Sequence, residues 1–159
     1  MVQDRLADIT FPYRPPPGIR AEIDEYMGPI YPLLHVKLSR KGEMPVPFEG
    51  LVDSGADTFF IPKEIADSLG LQRFDKFNSS GVFQQGVCFR TKVELVLGRA
   101  QPGIIHFGEI DAVIPDTEGD IPILIGRNPL FKFFEVVFKE YRDRPAVTLI
   151  QKKALPNQM

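Results

Sequence analysis

The chain has 159 residues, of which 43% are hydrophobic and 25% are charged, and its formal net charge is −2 at pH 7. This length suits one domain with a single core. The weakly acidic balance, without a basic stripe, argues against nucleic acid as a partner. No run of about 18 apolar residues occurs, so we expect no membrane span. A single cysteine excludes an intramolecular disulfide, and together with the lack of a signal pattern it favours a cytoplasmic setting.

The chain begins with a proline-rich stretch that includes Pro-Pro-Pro-Gly at residues 15–18. Such a stretch is expected to run extended over the surface rather than to form a helix. We therefore assign residues 1–28 to an N-terminal extension, 29–152 to one folded domain and 153–159 to a C-terminal tail. Frequent prolines and glycines throughout the domain suit short strands and turns better than long helices.

Apolar patterning predicts the strands. In residues 30–38, Leu34, Val36 and Leu38 alternate with polar neighbours, which is the period of two expected of a strand with one solvent face. Single strands are also predicted at 46–52 and 108–114, and a central strand that is buried on both sides is predicted at 121–126. Two hairpins are predicted, one across 74–97 with its turn at 78–81 and a last one formed by 135–140 and 146–150.

Two short helices are predicted between these strands. Lys63–Leu69 can begin after Pro62 and end at Gly70, and Asn128 can cap a second helix whose first residue is Pro129, because these residue types are favoured at helix ends. The fold class is therefore expected to be all-β with one or two short helices.

Asp53 is the most informative residue of the chain. It follows the apolar pair Leu51-Val52 and precedes a tight turn at Gly55. An ionisable side chain at the end of a buried strand is costly unless it is paired, protonated or used in function. A carboxylate that only caps the turn is the alternative interpretation.

Two segments resemble the signatures of retropepsin-type aspartic proteases. Residues 51–58 read Leu-Val-Asp-Ser-Gly-Ala-Asp-Thr, and residues 123–128 read Ile-Leu-Ile-Gly-Arg-Asn, in the order that the family has them and with a flap-like hairpin between them. The similarity covers residues 31–150. It implies a closed, barrel-like all-β fold, a homodimer, a peptide or protein substrate, and no cofactor.

The resemblance assigns the catalytic positions to Asp53, Ser54 and Gly55. Peptide hydrolysis of this type needs two carboxylates, one to take a proton from water and one to protonate the carbonyl oxygen. The chain has one such motif, so a second copy has to supply the partner, and two adjacent carboxylates then share a proton. Ser54 would form a hydrogen bond across the dimer, and Gly55 allows backbone close to the carboxylate.

The resemblance also implies the residues that contact substrate and those that support the site. The substrate-binding positions are Ala56, Asp57 and the flap tip formed by Gly81, Val82 and Phe83, and the supporting positions are Gly126 and Arg127, of which Arg127 braces Asp57. Since Ala56 lacks the hydroxyl that could donate to the catalytic carboxylate, we expect a less acidic pH optimum than in relatives that carry one there.

Several alternatives are weaker. Ser54 is a poor nucleophile candidate without a Gly-x-Ser-x-Gly context. His35, His106 and Cys88 lack metal-ligand spacing, so no metal site is expected, and phosphate-binding glycine motifs are missing. A catalytically silent dimerisation or peptide-binding module of the same fold stays open. Residues 147–150 are a candidate for the strand that builds the dimer sheet.

Overall fold

The computed structural model describes residues 8–16, 28–80, 85–99, 103–119 and 121–156. In these ranges neither helical element is long and apolar enough to cross a membrane. The elements are β1 (Asp8–Pro12), β2 (Leu33–Ser39), β3 (Val46–Val52), α1 (Lys63–Leu69), β4 (Phe74–Ser80), β5 (Gln85–Leu97), β6 (Ile105–Pro115), β7 (Ile123–Ile125), a helical turn at Arg127–Phe131, β8 (Phe134–Lys139) and β9 (Ala146–Gln151).

The strands form two sheets. In the larger sheet β4, β5, β2, β3 and β7 follow one another, and β6 pairs with β5, while the smaller sheet has the order β1, β9, β8. The predicted all-β class is confirmed. The expected closure into a barrel does not form among the described residues, because the end strands β4 and β7 do not pair with each other.

The core lies where the alternating pattern places it. Leu34, Val36 and Leu38 of β2 are at most 1% exposed, whereas their polar neighbours His35 and Lys37 are partly exposed. Strand side chains point alternately to opposite faces, so a period of two in the sequence buries one complete face. The same rule buries alternate residues of β5 against this layer.

Helix α1 has the predicted bounds. Gly70 ends it in the left-handed conformation, with φ of 64°, a backbone angle that glycine adopts without a steric penalty. The Gly70 N–H donates to the Asp67 carbonyl at 3.1 Å. The proline before the helix and the glycine after it therefore define this element locally, which is why the sequence was sufficient to place it.

The predicted start of the hairpin turn is wrong. The turn predicted at 78–81 does not begin at Asn78, because β4 continues to Ser80 and pairs Asn78 with Val87 and Ser80 with Gln85. Ladder hydrogen bonds join backbone groups, so polar residues on an exposed hairpin can still form a strand. Residue 81 lies outside the described part of the chain.

Strand β7 is shorter than predicted and occupies a different place. All three of its residues are buried, as expected, but β7 is the last strand of its sheet rather than a central one, and it runs parallel to β3. Its outer side is covered by a single bridge from Phe60 to Leu124. A continuous apolar run indicates burial but does not indicate the order of strands in a sheet.

The smaller sheet joins the two ends of the described chain. β1 pairs with β9 along its whole length, from Asp8 opposite Ile150 to Pro12 opposite Ala146, and β8 pairs with the other edge of β9. The prediction that residues 147–150 add a strand to a dimer sheet is therefore wrong, because both edges of β9 are already hydrogen-bonded. The domain boundary at residue 28 stays a prediction.

Candidate active site

Asp53 lies directly after β3, where the chain leaves the larger sheet. Its N–H donates to the Ile125 carbonyl at 3.0 Å, and its own carbonyl accepts the Ala56 N–H at 3.2 Å. Its carboxylate oxygen Oδ1 accepts a hydrogen bond from the Gly55 N–H at 2.8 Å. The side chain is partly exposed, so backbone groups of its own loop hold the carboxylate while solvent still reaches it.

The loop that follows Asp53, residues 53–58, is held by the second signature segment. The Arg127 N–H donates to the Ala56 carbonyl at 2.8 Å, and the Asn128 N–H donates to the Asp57 carbonyl at 3.1 Å. These contacts are made by backbone atoms on both sides. The two motifs, which are 70 residues apart in the sequence, therefore form one structural unit around Asp53. We call residues 53–58 the catalytic loop and residues 124–128 its clasp.

Residues 59–61, just beyond the loop, are anchored on two sides. Phe60 exchanges two backbone hydrogen bonds with Leu124, at 3.0 and 3.1 Å. On the other side, the Ile61 N–H donates to the Val113 carbonyl at 2.9 Å, and the Val113 N–H donates to the Phe59 carbonyl at 2.8 Å. These contacts are not predictable from residue types, because backbone groups carry them.

Position 126 has to be glycine because the clasp lies very close to the catalytic loop. A Cβ atom at this position would lie 2.6 Å from the Ala56 carbonyl oxygen and closer still to the Thr58 carbonyl oxygen. Both obstacles are backbone atoms that cannot rotate away. Any larger residue at position 126 would therefore push the clasp away from the loop that holds Asp53.

The side chains of the catalytic loop differ in their surroundings. Asp57 forms an ion pair with the Arg127 guanidinium, as predicted, and the two side chains are 81% and 60% exposed. Ser54 and Gly55 are exposed, whereas Ala56 is buried. The structure thus brings Asp53, its turn and the braced Asp57 together. The substrate contact expected of Ala56, and the pH optimum tied to it, stay predictions.

The predicted flap tip, formed by Gly81, Val82 and Phe83, lies outside the described residues. The two strands that lead to it are described, and β4 and β5 pair as far as Ser80 opposite Gln85. This antiparallel pair of strands lies between the two signatures in the sequence, and the flap role of residues 81–83 stays a prediction.

The described residues contain no group of three or more His, Cys, Asp or Glu side chains that could hold a metal ion. Cys88 is a buried free cysteine, and burial raises the pKa of its thiol. A buried thiol with a raised pKa is a poor nucleophile. The catalytic loop itself carries two carboxylates, of which Asp53 is partly exposed and Asp57 is exposed.

Comparisons with known proteins agree with this arrangement. A family model described as aspartyl protease matches residues 36–128, which is more than half of the chain and includes the catalytic loop and its clasp. No curated protein matches the chain significantly.

Two solved structures are similar at low sequence identity. A retropepsin-like aspartic protease from Rickettsia conorii is 17% identical with a TM-score of 0.46, over 91% of this chain and 90% of that one. The EIAV protease in complex with the inhibitor HBY-793 is 16% identical with a TM-score of 0.40, over 72% of this chain and 93% of that one. The assignment rests on the family match and on the site geometry described above. The chain belongs to the aspartyl protease family.

Proposed function

We propose that the chain is a homodimeric aspartic endopeptidase in which Asp53 of each protomer contributes one of two catalytic carboxylates. The observation that carries the proposal is the position of Asp53, partly exposed at the end of β3 and fixed by the Gly55 N–H at 2.8 Å. The other acid of the loop, Asp57, is already paired with Arg127. Because the chain contains one Asp-Ser-Gly motif, the second carboxylate has to come from another copy.

In this mechanism the two Asp53 carboxylates share one proton, since two adjacent carboxylates cannot both be ionised. The ionised carboxylate takes a proton from a water molecule, whose oxygen bonds to the carbonyl carbon of the peptide. The protonated carboxyl gives its proton to the carbonyl oxygen. The C–N bond of the resulting tetrahedral intermediate then breaks: the nitrogen receives the proton that the pair took from water, and one hydroxyl of the intermediate gives its proton to the other carboxylate, so the pair again holds one proton.

The neighbouring residues have supporting roles in the proposal. In the proposed dimer the Ser54 hydroxyl forms a hydrogen bond across the two-fold axis. Asp57, oriented by the fork of donors on Arg127, holds the backbone of an extended substrate. The tip at residues 81–83 closes over that substrate and excludes water. The setting we infer is cytoplasmic, in keeping with the one free cysteine.

The first test is Asp53→Asn, assayed on an unstructured protein substrate. Asparagine keeps the shape of the side chain but cannot take the proton from water, so we expect cleavage to fall by about 1,000-fold or more. Asp143→Asn, in the exposed turn between β8 and β9, is the matched control and should cleave at the wild-type rate. Wild-type activity in Asp53→Asn would reject Asp53 as the catalytic acid.

An active site formed by two copies of the chain has a second consequence, which can be tested independently of the first. An excess of Asp53→Asn chain, mixed with wild-type chain and allowed to exchange subunits, should reduce wild-type activity, because mixed dimers hold only one competent carboxylate. Sedimentation of each variant measures the dimer itself. If the excess variant leaves activity unchanged while subunits exchange, the two-chain site is wrong even if Asp53 is catalytic.

A further inference from the structure

Among the described residues, the smaller sheet ends in two edges without a partner strand, one on β1 and one on β8. An open edge exposes backbone N–H and C=O groups that can pair with another chain, so proteins usually interrupt it. The β1 edge is interrupted. The Tyr13 N–H donates to the Pro145 carbonyl on the β9 side, and backbone groups alternate along a strand. Pro12, which has no N–H, therefore faces outward.

The β8 edge has no such interruption. Phe133 accepts a hydrogen bond from the Lys152 N–H on the β9 side at 2.8 Å, and the pairing of β8 with β9 continues without a shift in register. The backbone groups of Phe134, Val136 and Phe138 therefore face away from β9. In the part of the chain that the structure describes, no backbone group pairs with them on that side.

The end strands of the larger sheet differ from β8. Strands β4 and β6 each contain an extra residue in their pairing with β5, at Asp75 and at Phe107. Such bulges bend an edge and discourage pairing with another chain. The edge of β7 is covered by the bridge from Phe60 to Leu124. Among the described strands, β8 therefore has the one regular and uncovered edge.

The side chains of β8 lie on two faces. The three residues whose backbone groups face outward pack their side chains against the core. Glu135, Val137 and Lys139 therefore lie on the opposite face, since strand side chains alternate. Glu135 pairs with Lys152 at 3.1 Å, and Lys139 forms no ion pair within the described ranges. One face of the edge strand thus carries an acid and a base four residues apart.

We propose that the β8 edge pairs antiparallel with the β8 edge of a second copy, about a two-fold axis at Val137. This register places Glu135 of each copy opposite Lys139 of the other. The outward backbone groups of Val136 then exchange hydrogen bonds with those of Phe138 across the interface. Charge complementarity selects a second copy as the occupant, because an acid and a base spaced in this way match themselves when the strand is reversed.

The pairing continues the smaller sheet across both copies, in the order β1, β9, β8, β8, β9, β1. A two-fold interface of this kind uses the same surface on both subunits. The proposal rests on the proposed function in one respect, which is that the active site requires a second copy. It adds the surface that joins the two copies, and this surface does not include the catalytic loop.

Charge exchange tests the register by sedimentation velocity on the full chain. Glu135→Lys and Lys139→Glu each place like charges opposite each other twice, so the Kd of each homodimer should rise about tenfold or more. An equimolar mixture of the two variants should form a heterodimer of wild-type affinity, because each acid again faces a base. Lys152→Gln removes the pairing of Glu135 within its own chain and is the matched control, which should dimerise like the wild type.

Proline tests the backbone bonds. Val136→Pro removes an outward N–H without removing a bond to β9, and an edge strand tolerates proline at such a position. We expect the Kd of the dimer to rise about tenfold or more, because one hydrogen bond is lost from each copy. Asp8→Pro, at an outward position on the β1 edge, is the matched control and should leave the dimer intact. Circular dichroism and thermal unfolding check that every variant is folded.

Each of three results would overturn the proposal. The first is a monomeric wild type, which would also reject the two-chain active site. The second is an unchanged Kd in both Val136→Pro and Glu135→Lys, which would place the interface elsewhere and leave the two-chain site standing. The third is a mixture of the charge variants that does not restore the dimer. A mixture that restores the dimer but not cleavage would support the β8 interface and reject the proposed catalytic site.

Discussion

The catalytic loop and the N-terminal residues Tyr13 and Arg14 are held to the fold in opposite ways. The loop is held by backbone hydrogen bonds from its clasp, and its ion pair between Asp57 and Arg127 is well exposed. Tyr13 is 6% exposed and its hydroxyl donates to Glu140 Oε1 at 2.7 Å, while the ion pair of Arg14 with Glu49 is only 25% and 21% exposed. The difference lies in which atoms carry the contacts and in how much water reaches them.

This difference indicates how each region responds to substitution. A backbone contact survives most side-chain changes and fails only when an added atom pushes the two backbone segments apart. A contact between desolvated side chains fails when either group is removed, or when pH changes the charge of one. We therefore expect the loop to be sensitive to volume at one position and the N-terminal segment to be sensitive to polarity and pH.

The largest effect on stability is expected from Gly126→Ala. Its added Cβ would meet the backbone carbonyl oxygens of Ala56 and Thr58, and clashes with backbone are relieved only by moving the clasp. We expect a loss of about 3 kcal/mol or more in the free energy of unfolding, measured by denaturant titration, together with loss of activity in whatever remains folded.

Gly42→Ala is the matched control for that change. Gly42 has φ of 82°, yet an added Cβ there would meet nothing within 4 Å. The cost should then be the backbone preference alone, about 1 kcal/mol. Equal losses in the two variants would mean that the close approach at the clasp does not limit stability.

The contrast also explains what the sequence could and could not predict. A few adjacent residues mark the catalytic loop, and a few others mark its clasp, where glycine is sterically required at position 126. Both segments could therefore be recognised from the sequence. Helix α1 was predicted with correct bounds because Pro62 and Gly70 mark its ends. Such features depend on a few adjacent residues.

Long-range pairing was not predictable in the same way. Nothing in residues 8–12 indicates that they pair with β9. Arg14 in turn contacts His35 and Glu49, which lie 21 and 35 positions further along the chain. Charged residues have no period that reveals their partners, and the energy of such pairs depends on burial that only the fold determines. The place of β7 in its sheet was not predicted either, because it too depends on pairing between distant parts of the chain.

Tyr13→Phe should have the next largest effect. The change removes one hydrogen bond of a buried hydroxyl and leaves Glu140 to be solvated, so we expect a loss of about 1 kcal/mol in the free energy of unfolding. Burial, followed by the contact with Glu140, raises the pKa of Tyr13. The unfolded tyrosine therefore ionises first, near pH 10, and the wild type should lose extra stability above that pH that Tyr13→Phe does not lose.

Arg127→Gln should affect stability little and activity more. The ion pair with Asp57 is exposed, and exposed pairs contribute less than about 1 kcal/mol. The brace on Asp57 would nevertheless be lost, so KM for an extended peptide should rise. Arg127→Lys should not restore it, because lysine lacks the fork of donors. A double-mutant cycle with Asp57→Asn measures the coupling, and a coupling above about 2 kcal/mol would contradict the assignment of this pair as a solvent-exposed contact.

The smallest effect is expected from His35→Gln and appears only as a pH dependence. Burial, followed by the charges of Arg14 and Arg99, lowers the pKa of His35, while the unfolded histidine titrates near pH 6.5. Below that pH the unfolded chain binds more protons than the folded one, so the stability of the wild type falls on acidification. Glutamine keeps an acceptor for Arg14 but does not titrate.

Thermal unfolding of the wild type and of His35→Gln between about pH 7.5 and pH 5 tests this prediction, because that interval spans the titration of the unfolded histidine. The wild type should lose more stability than His35→Gln across the interval, by less than about 1 kcal/mol because the ring is partly solvated. A larger loss in His35→Gln would reverse the sign of the linkage. Protonation of His35 would then strengthen its interaction with Glu49, and the N-terminal segment would be held by the Glu49 carboxylate rather than by neutral His35.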